Sequence, residues 1–378
     1  MEVYWFMFVW VIFFGILTQM TSRYELVGGE TYEPRARLFM AILVFSVIIF
    51  FAGMRSFVAD TSVYMKTFKT YPLLSESSNF LSDDGLKDKG FAFLGILVKT
   101  FISDNYTVWF TIIAIISGLS IAITLYKYSC NFGVSAFLFM ASCQFTWMFN
   151  GMRQFLVAAI VFLCTDLILN RKFILYAVII CILSTIHQSA LILIPVYFIV
   201  TGEPWNKRTI LFIGLIILSI VFASTFTNIF DNVVESTSYS EAMESLKQSD
   251  DGTNIIRILV ESIPTILAFI YRKKISKNLT PIIKLSINMS LMSTGTYIIS
   301  KVLSSGVMLG RLPIYFSMYN LILLPWLLKK IFNNREKDLI YFFMIICYML
   351  FFYYQMVVSW EGMGYGSEIL NIKYTLLN

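Results

Sequence analysis

The chain has 378 residues, of which 58% are hydrophobic and only 14% charged, and its mean hydropathy is +0.74. That composition excludes an ordinary soluble domain. The formal charge of +6 reads as Lys and Arg retained on one face of a membrane protein, with some left to meet an anionic substrate, rather than as a nucleic-acid footprint. Aromatic residues reach 17%, including 35 Phe and 21 Tyr, as expected where side chains face lipid and line both interfaces. Cys130, Cys143, Cys164, Cys181 and Cys347 lie in or beside apolar segments without a repeating spacing. They read as small buried hydrophobes rather than metal ligands or disulfide partners. No Gly-rich phosphate loop and no Cys/His cluster with zinc spacing occurs, so neither a metal nor another cofactor is expected.

The first apolar segment, 3–20, follows Glu2 without a basic leader or a small-residue cleavage site, and reads as a retained span. Further apolar segments cover 38–52, 107–126, 132–148, 154–169, 173–186, 190–200, 210–230, 255–271, 281–300, 312–328 and 339–358. A span needs about 20 apolar residues, so the expected fold is all-α: one polytopic membrane helical bundle of about twelve transmembrane helices over 1–378. His187-Gln188-Ser189 interrupts the stretch 173–200, which predicts two short or broken helices meeting there. Five loops carry basic clusters. They hold Arg23, Arg35 and Arg37; Arg171 and Lys172; Lys207 and Arg208; Arg272, Lys273, Lys274 and Lys277; and Lys329, Lys330, Arg335 and Lys337. Twelve spans with both ends outside place all five clusters in the cytoplasm. The same threading puts two long loops outside. Loop 54–106 contains the apolar run 91–101, too short to span and read as an interfacial or re-entrant helix with Lys99 at the water line. Loop 230–254 is acidic, with six carboxylates against one Lys between Asp231 and Asp251.

The threading gathers the unusual polar residues on the outer face. Gly53-Met54-Arg55 leads to Asp60-Thr61 and Tyr64 where the second segment ends. An Arg there suits phosphate oxygens, and a carboxylate can take a proton or hold a sugar hydroxyl. Equally, Arg55 could snorkel and Asp60 cap the next helix. Asn150-Gly151-Met152-Arg153-Gln154 packs Asn, Arg and Gln into a tight turn between spans. His187, the sole histidine, is followed by Gln188 and Ser189. It is either a hydrogen-bonded structural residue or a site residue at a broken helix, where freed backbone groups need protein or cavity water. Gly310-Arg311 precedes Tyr315 and Phe316, and Gly306 with Gly310 has the spacing of close helix packing. Asp166 and Glu261 each either pair with a neighbouring helix or face a cavity.

Taken together, these stretches resemble the EpsG-like group of Wzy-type polysaccharide polymerases. The resembling residues are Gly53, Arg55, Asp60, Thr61 and Tyr64; Asn150 to Gln154; His187 to Leu191; and Gly310, Arg311, Tyr315 and Phe316. Two positions depart from that pattern: Ala59 replaces a glycine before the Asp, and Lys87-Asp88-Lys89-Gly90 stands where Glu-Pro-Gly is usual, which weakens an acidic role there. The resemblance implies a fold like the GT-C-type membrane glycosyltransferases. The implied activity joins undecaprenyl-pyrophosphate-linked oligosaccharide repeat units on the outer face of the bacterial cytoplasmic membrane. Asp60 or His187 would take the acceptor proton, and the favoured assignment makes His187 the base or acceptor-positioning group and Asp60 the orienter of a nearby arginine. Arg55, Tyr64, Asn150, Arg153, Gln154, Gln188, Arg311 and Tyr315 would bind pyrophosphate and glycan. The implied partners are the lipid-linked substrate, membrane lipid, a flippase and a chain-length regulator, with no nucleic acid. Competing readings are an O-antigen ligase or other polyprenyl-linked-sugar glycosyltransferase, a membrane acyltransferase using His187, and a polysaccharide or lipid transporter. No repeat relates the two halves as transporters often show.

Overall fold

The computed structural model describes residues 1–27, 31–83, 86–222, 253–303, 309–359 and 363–373. Most of the acidic loop 230–254 and Gly306 lie outside the described residues. The chain divides into two compact units, Met1–Ile194 with Phe332–Asn378, and Pro195–Ile331. Among the described residues the protein is all-helical apart from one small hairpin. The elements run α1 (Glu2–Met20), β1 (Arg23–Val27), β2 (Thr31–Arg35), α2 (Leu38–Gly53), α3 (Thr61–Thr70), α4 (Ser77–Ser82), α5 (Lys89–Phe101), α6 (Tyr106–Tyr128), α7 (Phe132–Ala141), α8 (Met152–Leu163), α9 (Thr165–Leu169) and α10 (Phe173–Ser184). A 3₁₀ turn at Gln188–Ile192 leads to α11 (Leu193–Val200), α12 (Lys207–Val221), α13 (Ile255–Ile270), α14 (Arg272–Ile275), α15 (Pro281–Val302), α16 (Ile314–Ser317), α17 (Asn320–Ile331) and α18 (Asn334–Tyr353). The hairpin strands are antiparallel, with Arg23 opposite Arg35.

Every one of the twelve apolar segments contains helix, but they differ in length and continuity. Glu2–Met20, Tyr106–Tyr128 and Arg335–Ser359 are long and apolar enough to cross a membrane. Leu309–Ser317 with Asn320–Ile331, bent by 54° at their break, makes a fourth if taken as one span. Leu38–Gly53, Phe132–Ala141, Met152–Leu163, Phe173–Ser184 and Gln188–Val200 are shorter apolar helices. The breaks have local causes. Cys143 takes a left-handed φ of 60° between α7 and the 3₁₀ turn Gln144–Met148. Pro313 precedes α16, where the missing N–H and fixed φ favour a helix start. At His187 the backbone is extended, with φ −153° and ψ 111°, which separates α10 from the following turn.

In the first unit α2 packs on α6, α1 on α7 and α6 on α8. Glycines permit the closest crossing: a Cβ on Gly133 of α7 would lie 2.5 Å from the Gly15 carbonyl oxygen of α1. Close backbone approach of this kind is how helices associate where lipid removes the hydrophobic driving force. The outer faces stay apolar as well, with Phe6, Val9 and Phe13 of α1 and Ile174, Val178 and Ile182 of α10 exposed, as a lipid-facing surface requires. This also corrects the expectation for the cysteines. None of the five is in a disulfide, but only Cys143 is buried, and Cys181 and Cys347 are exposed.

The intramembrane carboxylates are paired. Asp166 meets Lys127 and accepts from the Tyr128 hydroxyl at 2.5 Å, tying α9 to the end of α6. In the second unit Glu261 lies 4.0 Å from Arg257, one turn back on α13, and accepts from Asn320 Nδ2 of α17 at 3.1 Å. Arg257 Nε donates to the Tyr297 hydroxyl of α15 at 3.2 Å. Lys99 of α5 donates to the carbonyls of Lys69 and Tyr71 at 2.9 and 2.5 Å, capping the end of α3.

The basic-loop threading makes a direct prediction. Ser78 and Ser276 are both exposed, whereas neighbouring Ser77 is only 5% exposed and would report poorly. A Ser78→Cys variant, with native cysteines replaced, should react with an impermeant thiol reagent on intact cells, and Ser276→Cys only after permeabilisation. The reverse pattern would overturn the orientation.

Candidate functional site

Within the first unit, three stretches separated in sequence meet at one place. The chain leaves α2 and turns through Arg55 to Ala59 before α3 begins. Asp60 precedes α3 but makes no side-chain cap bond to it. Its Oδ2 instead accepts from the Gly151 N–H at 3.2 Å, so the carboxylate holds the turn before α8. Gly151 has φ 75° there, a left-handed conformation that costs glycine little. Ala59 also sits at positive φ, 42°, where a Cβ is strained. The departure at this position therefore carries an energetic penalty.

Arg153, on the first turn of α8, points at the other two stretches. Its Nη1 donates to Asp88 Oδ2 at 2.6 Å. Its guanidinium lies 5.8 Å from the centroid of the Tyr64 ring and also hydrogen-bonds the Tyr64 hydroxyl. The side chain is 37% exposed against 14% for Asp88, and its Nε is buried without a hydrogen-bond partner. Asp88 corrects the expectation that the departure at Lys87-Asp88-Lys89-Gly90 weakens an acidic role at that position. It stands before α5 with φ 56° and accepts from the Gln188 backbone N–H as well as from Arg153. Burial pushes its carboxyl above the ordinary range, while Arg153, the Gln188 N–H and Lys87 pull the other way. Two residues on, the Gly90 N–H donates to the Thr185 carbonyl at 2.8 Å. A Cβ at Gly90 would lie 2.1 Å from Thr185 Oγ1 and 2.9 Å from the Thr185 carbonyl carbon, so this approach needs glycine.

The broken helix supplies the rest. His187 Nδ1 lies 2.7 Å from Ser189 Oγ, and Gln154 Nε2 donates to the same hydroxyl at 3.3 Å. His187 is half-buried, Gln188 is exposed and Gln154 is buried. Asn150 Oδ1 is buried with no hydrogen-bond partner, leaving an acceptor at the turn. Tyr71, behind Arg153, has its phenol pushed up to about 12 by burial. Among the described residues no group of three His, Cys, Asp or Glu side chains could hold a metal.

The remaining candidates are Arg55, Arg311 and Tyr315. Arg55 is 1% exposed. Its guanidinium donates to the Ala52 carbonyl, to Thr61 Oγ1 at 3.2 Å and to Met152 Sδ at 3.0 Å, and lies 4.4 Å from the Phe110 ring centroid. It neither snorkels nor presents a fork to solvent; it ties α2, the start of α3 and α8 together. Arg311 and Tyr315 belong to the second unit, Arg311 in the 3₁₀ turn Leu309–Arg311 and Tyr315 buried in α16.

The chain is similar to the EpsG family, whose model matches residues 38–375, a range that includes every residue of this site. No curated protein and no solved structure matches it.

Two outcomes for the arginines follow from burial. Arg55→Met should lower thermal stability, because each buried acceptor left unsatisfied costs about 1–3 kcal/mol, and Arg153→Met should lower it too, because it strands the mostly buried Asp88 carboxylate. Ala59→Gly should stabilise the protein by about 1 kcal/mol by relieving the left-handed alanine. Thermal denaturation of the detergent-solubilised variants checks all three, and a stable Arg55→Met protein would contradict the tying role.

Proposed function

This chain belongs to the EpsG family, a Wzy-type polymerase-like family, and on that premise we propose that it joins undecaprenyl-pyrophosphate-linked oligosaccharide repeat units into a surface polysaccharide. The protein is an all-helical membrane protein of polysaccharide synthesis. The finer reading places the reaction on the outer face of the bacterial cytoplasmic membrane. The observation that carries it is the half-exposed Arg153, set beside the polar turn His187-Gln188-Ser189 by three distant stretches of chain. A guanidinium fork suits phosphate oxygens, and an adjacent row of amide and hydroxyl groups suits sugar hydroxyls.

In the proposed reaction, a hydroxyl oxygen of the acceptor repeat unit attacks the anomeric carbon of the donor glycan. The bond from that carbon to the pyrophosphate oxygen breaks, its electron pair leaves with the lipid pyrophosphate, and the hydroxyl proton passes to His187. Ser189 Oγ accepts from Gln154 Nε2 and has a second lone pair for the Nδ1–H of His187, a tautomer in which Nε2 carries the lone pair that takes the proton. An imidazole can take and return a proton near neutral pH. Asp60 orients the Asn150-Gly151 turn rather than acting as base. Tyr64 flanks Arg153, and Asn150, Gln154 and Gln188 offer hydrogen bonds to the glycan. Arg55 serves the site by fixing the first stretch. A pyrophosphate- or glycan-binding role for Arg311 and Tyr315 rests on the sequence resemblance. A flippase and a chain-length regulator are the proposed partners, and a ligase would differ only in the acceptor.

The test is a reconstituted assay with purified lipid-linked repeat units, reading chain length and turnover. Arg153→Lys keeps the charge but loses the fork, and should impair polymerisation clearly. His187→Ala should lose about 10²–10⁴-fold in turnover if His187 is the general base. Near-normal turnover by His187→Gln would remove that role, and wild-type chain length from Arg153→Ala would remove the pyrophosphate site.

A further inference from the structure

We propose that Asp88 is the resident counter-ion of Arg153 and sets the charge threshold a ligand must exceed to enter the site, so that doubly charged pyrophosphates are admitted and singly charged phosphodiesters are refused. The inference rests on the pyrophosphate reading above and deepens it. An enzyme that draws a rare lipid pyrophosphate from a membrane meets a large excess of phospholipids with similar head groups. A phospholipid diester carries one negative charge, while a pyrophosphate esterified at both ends carries two. A bare arginine at the interface would attract either.

Asp88 changes that competition. Its Oδ2 occupies Arg153 Nη1 at 2.6 Å, on the fork a phosphate would use. A phosphodiester that displaced it would exchange one unit charge for another and strand a carboxylate that is only 14% exposed. Leaving a mostly buried charge without its partner is unfavourable by several kcal/mol, so the exchange does not proceed. A pyrophosphate brings a second charge and further oxygens, and Arg153 has an unpaired buried Nε to receive one. Building in an unfavourable element against the wrong ligand is a general route to specificity.

The carboxylate is held where this role needs it. The Gln188 N–H keeps Asp88 at the helix break even when Arg153 is taken by substrate, and the Gly90 to Thr185 bond fixes the start of α5 against the same segment. The groups facing Asp88 are Arg153, Lys87 and the Gln188 N–H. Burial disfavours its charged form against their pull, which is why the carboxylate depends on Arg153.

Asp88→Asn retains an oxygen to accept from Gln188 and removes the charge, so the shape of the site is preserved while the threshold is lost. Binding is measured for the full-length protein in phosphatidylcholine nanodiscs with two probes, farnesyl pyrophosphate and short-chain phosphatidylglycerol. The wild-type protein should strongly prefer farnesyl pyrophosphate. Asp88→Asn should bind phosphatidylglycerol on the order of tenfold more tightly, as expected when a close charge is removed, and so lose most of the preference. Asp88→Glu should restore it. Turnover on lipid-linked repeats should then fall steeply with added phosphatidylglycerol for Asp88→Asn and stay level for the wild type. An unchanged preference in Asp88→Asn would overturn the threshold and leave the pyrophosphate site standing. Failure of the wild-type protein to bind farnesyl pyrophosphate at all would overturn the pyrophosphate reading itself.

Discussion

The ion pair between Asp88 and Arg153 joins segments 65 residues apart, and the geometry of the candidate site depends on it. A helix break in apolar surroundings frees backbone groups that must be satisfied by protein. Here the break after α10 does so partly by itself, with the His187 N–H donating to the Leu183 carbonyl and the Ala190 N–H to the His187 carbonyl, both at 3.1 Å. The start of α5 supplies the rest, since Asp88 accepts the Gln188 N–H and Gly90 donates to Thr185. One carboxylate thus closes the helix break and holds the arginine. That is why the histidine, the glutamines and Arg153 face a common place.

The two arginines of this unit show how similar sequence settings diverge in energy. Both follow a glycine and a methionine at a helix boundary. Arg55 gives up nearly all contact with water and is compensated by a carbonyl, a hydroxyl, a thioether and the face of Phe110. Arg153 keeps part of its surface and an unpaired Nε. A charge that is fully compensated inside the protein stabilises the fold, and one that is only partly compensated is available to a ligand. Left-handed backbone gathers here too, at Ala59, Asp88 and Gly151. Two of these lack the freedom of glycine, so packing around the site must hold them in place.

The second unit shows a polar arrangement of a different kind. Arg257, Glu261, Tyr297 and Asn320 bring α13, α15 and α17 together through charge and hydrogen bonds, and Thr265 of α13 lies 2.7 Å from the Ser290 hydroxyl of α15. In lipid, where apolar side chains gain little by leaving their surroundings, such contacts give helices a specific register. The pairing of Glu261 also answers a question its sequence left open.

Hydropathy is a local property, and what it governs was readable from the chain. Each of the twelve apolar segments contains helix, and the interruption by His187-Gln188-Ser189 does separate two helices. The turn at Gly151 and the family resemblance were also visible, because each is written in consecutive residues. Tertiary contact decided the rest. Nothing local distinguishes Arg55 from Arg153, since burial depends on where α6 and α8 pass. The left-handed turn at Cys143 has no glycine to announce it. Asp88 stands where the sequence departs from the family pattern, and only the packing of α5 against the end of α10 brings it to Arg153. A pairing across 65 residues leaves no periodicity in the sequence, because the energy that selects it comes from desolvating both charges together in the folded protein.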